Sequence, residues 1–133
     1  FKKNFIVTNC DILIDIEYSD FVNTHIQNNY MVSLVASTKD FQLDYGVCEI
    51  NSSGDLSKII EKPKINYLIN CGMYIVNKKV LKYIPSNKYF NMTDFIKIVI
   101  KNNHKVAIYP IHDSKWIDIG QWNEYEKSSF KFK

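Results

Sequence analysis

Ile59-Ile60-Glu61-Lys62-Pro63 and, shortly after it, Ile69-Asn70-Cys71-Gly72-Met73-Tyr74-Ile75-Val76 are the stretches on which the fold turns. The first is an apolar, β-type run closed by an acid and a base against a proline. The second opens with an Asn and a Gly and continues as a buried strand. Proline disfavours the α region at the residue before it, so Glu61 and Lys62 are expected to be extended at a strand end with diverging side chains. Gly72 permits a close approach of backbone or ligand that any side chain would obstruct. Two solvated charges and a strand glycine account for the same residues without any function, so the flanking sequence decides between the two.

Upstream, Tyr45-Gly46-Val47-Cys48-Glu49-Ile50 reads as a strand, Ser52-Ser53-Gly54-Asp55 as a turn, and residues 56–61 as the returning strand. That is an antiparallel hairpin, in which Gly46 marks either a bulge or a close ligand approach. Before it, residues 4–9 form an apolar strand and residues 31–36 a second one. Between them, residues 18–29 place Phe21, Val22, His25 and Ile26 on one helical face, with Ser19 or Asp20 as the cap. Strand, helix and strand at this spacing predict a βαβ unit with a right-handed crossover. His25 reads as a packed or surface residue rather than a ligand.

Downstream, residues 78–83 predict a short helix stopped by Pro85. Residues 91–102 predict a helix with a Phe95, Ile96, Val99, Ile100 stripe and Thr93 or Asn91 as its cap, and residues 106–109 a strand ended by Pro110. The fold class is therefore α/β: a Rossmann-like mixed sheet flanked by helices, with an inserted antiparallel hairpin.

Composition narrows the function. A chain of 133 residues is one domain's worth of protein, and 46% hydrophobic content excludes disorder. The seventeen basic residues are all lysines, they are scattered, and the net charge is only +3. A nucleic-acid surface, which normally uses the bidentate geometry of arginine, is not expected. No apolar run approaches the roughly 20 residues of a membrane span. Cys10, Cys48 and Cys71 form no CxxC pair and sit in strand-like surroundings, which predicts buried thiols in a reducing cytosol and no structural zinc.

Two acids stand out. Asp11 closes the first strand, and ligand chemistry in open α/β sheets collects at the carboxyl ends of strands, which makes Asp11 a metal-ligand candidate. Asp118 lies in Trp116-Ile117-Asp118-Ile119-Gly120, which leads into Gln121-Trp122-Asn123-Glu124-Tyr125. An acid among large apolar residues is either held by backbone amides, as a helix cap would be, or bound to a cation. Gly120 suits a tight turn into a terminal helix.

Taken in order, Asn9-Cys10-Asp11, Tyr45-Gly46-Val47, Glu61-Lys62-Pro63, Asn70-Cys71-Gly72 with Tyr74, Met92-Thr93-Asp94 and Trp116-Ile117-Asp118-Ile119-Gly120 resemble the sugar-nucleotide pyrophosphorylases, a family of nucleoside-diphosphate-sugar nucleotidyltransferases. The mannose-1-phosphate guanylyltransferase-like branch is included in the likeness. The resemblance implies an enzyme that joins a nucleoside triphosphate to a sugar-1-phosphate, releases pyrophosphate and makes an NDP-sugar for polysaccharide, lipopolysaccharide or glycoprotein glycan synthesis in the cytoplasm. It implies that Asp11 and Asp118 hold Mg²⁺, and that Lys62 neutralises the sugar phosphate. Glu61 and Asn70 would bind sugar hydroxyls, while Gly46 and Gly72 would let backbone approach the sugar.

Two departures shape the expectation. The position before Asp11, most often Gly in that family, is Cys10 here. The family's glycine-rich signature and its following lysine, which hold the triphosphate and read the base, precede the first strand and do not occur in these 133 residues. Within an enzyme of roughly 220 to 350 residues, residues 1–133 are therefore expected to be the C-terminal, sugar-phosphate and metal-binding portion of one nucleotidyltransferase domain. Its sheet would be incomplete at the N-terminus, inert by itself and prone to self-association through an exposed edge. The sugar and the base stay open. The alternative from another class is a non-catalytic sugar-phosphate-binding or regulatory module, against which both aspartates and Lys62 argue.

Overall fold

The computed structural model describes residues 3–120. In chain order they form β1 (Asn4–Thr8), β2 (Ile12–Ile14), α1 (Tyr18–Gln27), β3 (Val32–Gln42), β4 (Val47–Ile50), β5 (Leu56–Ile60) and β6 (Lys64–Asn77). A 3₁₀ turn (Lys78–Tyr83), α2 (Met92–Lys101), β7 (Val106–Ile111), a second 3₁₀ turn (Asp113–Lys115) and β8 (Trp116–Asp118) follow. The main sheet runs β1-β6-β3-β7, and β2 with β8 and β4 with β5 make two separate two-stranded ribbons.

The apolar content of β6 organises the core. Side chains alternate across a strand, so Met73 and Ile75 join Phe21, Val35, Cys71 and Ile111 on one face. Tyr74 and Val76 join Val32, Val80, Phe95 and Val99 on the other. Because both faces are covered, residues 71–77 are buried without interruption, as in a central strand of a layered α/β domain. From α1 come Phe21 and His25, and from α2 Phe95 and Val99, each pair four residues apart on one helical face. Of the two readings left open for His25, packed or surface, the structure gives the first: it is 1% exposed, and its Nδ1 lies 2.8 Å from Ser33 Oγ.

Several local expectations are corrected. β1 and β3 do run in the same direction, but each pairs antiparallel with β6, which lies between them. The parallel neighbour of β3 is β7. The cap of α1 is Glu17, whose carboxylate accepts the Ser19 N–H at 3.3 Å and the Ser19 hydroxyl at 2.7 Å. For α2 the expected cap Asn91 is the one found, although it makes no side-chain bond to a helix amide and its Nδ2 donates to Asp94 at 3.3 Å instead. β3 and β6 both continue beyond the core as a ribbon paired through Gln42 and Lys64. Only Cys71 is a buried thiol, and burial pushes its pKa up to about 11, whereas Cys10 and Cys48 are exposed. No helix among the described residues is long and apolar enough to cross a membrane.

Candidate functional site

The carboxyl end of β1 runs through Asn9 and Cys10 into Asp11 and then β2. Strand β8 pairs antiparallel with β2, placing Ile12 opposite Asp118, and the Ile119 N–H donates to the Asp11 carbonyl at 2.9 Å. This register sets two acids from opposite ends of the sequence side by side. Gly120 shows how closely. A Cβ built on it would sit 2.7 Å from Asp11 Oδ2 and 3.2 Å from Asp118 Oδ1, so both carboxylates crowd the same point. The Gly120 N–H also donates to Asp118 Oδ1 at 3.0 Å. Asp118 is thus amide-held and also stands beside a second carboxylate. The helix expected from Gln121 lies outside the described residues.

A second group forms where the β3–β6 register shifts, between Leu34 and Ala36, opposite residues 71–73. Gly72 takes φ +81° there, a left-handed conformation that glycine adopts without a steric penalty. Its bare Cα admits the Asn9 side chain: a Cβ would fall 2.8 Å from Asn9 Nδ2. The Asn9 N–H donates to the Gly72 carbonyl at 2.9 Å, and the Gly72 N–H donates to Asn70 Oδ1 at 3.1 Å. Asn70 Nδ2 in turn donates to the Tyr74 hydroxyl at 2.7 Å. The bulge therefore ties the loop that carries Asp11 to exposed Asn70.

The third group belongs to the hairpin. Gly46 precedes β4, and the register irregularity falls between Glu49 and Ile50 instead, so the bulge reading of Gly46 is not met. A Cβ on Gly46 would stand 3.1 Å from Glu61 Oε2, which makes this glycine the close-approach partner of Glu61. Lys62 also departs from expectation. Its φ is +45°, left-handed rather than extended. The chain must turn between the end of β5 at Ile60 and the start of β6 at Lys64, while Leu43 N–H holds the Pro63 carbonyl at 3.1 Å. That tight reversal overrides the local preference before proline, at a cost of about 1–2 kcal/mol for a residue with a side chain. Glu61 and Lys62 are both exposed, and neither joins an ion pair among the described residues.

The structure thus gathers Asp11 with Asp118, ties Asn70 and Gly72 to the loop of Asp11 through Asn9, and sets Gly46 against Glu61. No hydrogen bond or ion pair of Lys62 joins it to them. Sequence reasoning assigned no role to Asn9 or Tyr74 and saw Gly120 only as a turn residue. The signal for Gly120 was its position two residues after an acid. Among the described residues no group of three or more His, Cys, Asp or Glu side chains is gathered. Two adjacent carboxylates are a donor set that would fit a hard, oxygen-preferring divalent cation.

A profile of the family described as nucleotidyl transferase matches residues 1–132. The chain is similar to a UTP–glucose-1-phosphate uridylyltransferase of Synechocystis, with 28% identity over 94% of this chain and 34% of that protein. It is also similar to mannose-1-phosphate guanylyltransferase 1 of Arabidopsis thaliana, with 28% identity over 91% of this chain and 34% of that protein. Among solved structures, HddC from Yersinia pseudotuberculosis superposes with a TM-score of 0.68 at 26% identity, covering 98% of this chain and 56% of that one. The chain spans about a third of the length of these curated relatives.

Proposed function

The chain belongs to the nucleotidyl transferase family, and on that premise we propose that it supplies the sugar-phosphate and cation-binding portion of a sugar-1-phosphate nucleotidyltransferase. In the reaction a phosphate oxygen of the sugar-1-phosphate attacks the α-phosphorus of a nucleoside triphosphate. The bond from that phosphorus to the α,β-bridging oxygen breaks, pyrophosphate leaves with the electron pair, and an NDP-sugar forms. Such a transfer depends on in-line positioning and on charge neutralisation, and needs no covalent nucleophile.

The observation that carries this reading is the shared point above Gly120, where the carboxylates of Asp11 and Asp118 meet. These two residues would hold Mg²⁺, which when bound supplies positive charge against the phosphate oxygens. Lys62 places its ammonium against the sugar phosphate. Glu61 and Asn70 take the sugar hydroxyls, with Gly46 and Gly72 keeping the approach clear. The similarity to a glucose-1-phosphate uridylyltransferase and to a mannose-1-phosphate guanylyltransferase supports a hexose-1-phosphate as the sugar substrate. Nucleoside triphosphates and sugar phosphates meet in the cytoplasm, where we place the protein.

Pyrophosphate release by the full gene product, with Mg²⁺ and a panel of nucleoside triphosphates and sugar-1-phosphates, tests the proposal. Turnover with one pair, abolished by Asp118→Asn, is expected. Sugar-phosphate binding without turnover for any pair would overturn it in favour of a non-catalytic binding module.

A further inference from the structure

We propose that Tyr74 is a positioning residue for substrate recognition: the hydroxyl of this core tyrosine sets the orientation in which Asn70 meets the sugar. The inference rests on the reading that Asn70 binds a sugar hydroxyl, and it adds a residue to which that reading gives no part.

The geometry is a relay from core to surface. Tyr74 is 5% exposed, and its ring is packed with Val32, Val76, Val80, Phe95 and Val99. Its hydroxyl is therefore held as firmly as the core itself. Asn70 is an exposed side chain, and an exposed Asn ordinarily samples several rotamers. Here both ends of its carboxamide are engaged. The Gly72 N–H can only donate, so the end of the carboxamide that meets it at 3.1 Å must be the oxygen. The nitrogen is then the end that meets the Tyr74 hydroxyl at 2.7 Å. Gly72 thus fixes which way the amide is flipped, and Tyr74 fixes its plane.

A primary carboxamide has two N–H donors and an oxygen with two lone pairs. With one donor given to Tyr74 and one lone pair to Gly72, one donor and one lone pair remain. A hydroxyl group both donates and accepts, so this remaining pair suits a sugar hydroxyl. A freely rotating Asn70 offers the same groups but must be ordered each time substrate binds, which lowers affinity without touching the chemical step. The consequence is specific: removing the Tyr74 oxygen should act on sugar-1-phosphate recognition, and only through Asn70.

The test is a double-mutant cycle on the full gene product, with Tyr74→Phe and Asn70→Ala made singly and together. Steady-state kinetics are read against sugar-1-phosphate and, separately, against nucleoside triphosphate, with thermal melts as the fold control. Tyr74→Phe is expected to raise the KM for sugar-1-phosphate about fivefold, the worth of one hydrogen bond, and to leave kcat and the triphosphate KM within about twofold. In the Asn70→Ala background the same substitution should change nothing further. Side-chain amide resonances of Asn70 in a ¹⁵N spectrum should shift toward those of a free carboxamide in Tyr74→Phe. An equal KM change in both backgrounds would mean that Tyr74 acts through general packing, and would overturn the proposal. A KM moved by Asn70→Ala and unmoved by Tyr74→Phe overturns it alone. A KM unmoved by Asn70→Ala removes the reading of Asn70 and this proposal with it.

Discussion

The carboxylate corner and the β4–β5 hairpin each carry part of the proposed site, and they are built in opposite ways. Asp11 and Asp118 are set by paired backbone, with Ile12 opposite Asp118 and Ile119 bonded to the Asp11 carbonyl, directly beside a core that includes Met73 and Ile75. The hairpin that leads to Glu61 and Lys62 has almost no buried side chain. Ile50, Leu56 and Ile59 are each more than half exposed, and its one cross-strand ion pair, Glu49 with Lys58 at 4.0 Å, is open to solvent. Elements with few buried contacts open at low free-energy cost, whereas those tied to the core open only near the global limit. On the proposed reading, the Asp11–Asp118 corner would be preorganised by the fold, whereas Glu61 and Lys62 would be carried on an arm with little packing to hold it.

That contrast can be broken or sharpened by substitution. Asp118→Asn keeps the shape of the corner and removes one of its charges; it should lower turnover by at least about a hundredfold, roughly 3 kcal/mol of electrostatic stabilisation, as read by pyrophosphate release. Gly120→Ala introduces a Cβ at 2.7 Å from Asp11 Oδ2 and so must push that carboxylate aside. A roughly tenfold loss of divalent-cation affinity by calorimetry is expected, in line with displaced ligand geometry elsewhere. Gly72→Ala meets both an unfavourable φ of +81° and the Asn9 side chain, and should destabilise the chain by about 1–3 kcal/mol in urea titrations. Ile59→Thr on the hairpin should change stability by less than about 0.5 kcal/mol, as exposed substitutions do. If the hairpin change proved the more costly of the two, the contrast would be inverted.

The smallest effect concerns pH. Burial lowers the His25 pKa below its ordinary 6.5. The unfolded chain therefore takes up a proton there before the folded chain does. His25 contributes its full stability above pH 6.5 and loses it as pH falls from that value through the lowered folded pKa. Denaturant midpoints measured across this window should fall with acid in the parent chain, and the slope should flatten in His25→Gln.

Which features were legible follows from how local their causes are. Most of the face of α2 (Ile100, which is exposed, excepted) and the buried halves of β3 and β6 were readable because side-chain periodicity is local, and the placement of Asp11 at a strand end followed from the same pattern. The insertion of β6 between β1 and β3 was not, since strand order depends on pairing between distant segments. The exposed continuations of β3 and β6 were missed because Lys39, Asp40, Asn66 and Tyr67 give no buried pattern. At Lys62 a sound local rule lost to the geometry of a tight reversal. The role of Gly120 was invisible for a further reason: its contact with Asp11 exists only once β2 and β8 are in register.

The most direct test of the account is where a divalent cation settles. Mn²⁺ added in small steps to the ¹⁵N-labelled chain, with a hexose-1-phosphate present, should broaden the amides of Asp11, Ile12, Ile119 and Gly120 before any others. Asp118→Asn should remove that effect. Broadening that begins elsewhere, or that persists unchanged in the variant, would contradict the claim that Asp11 and Asp118 form one cation site.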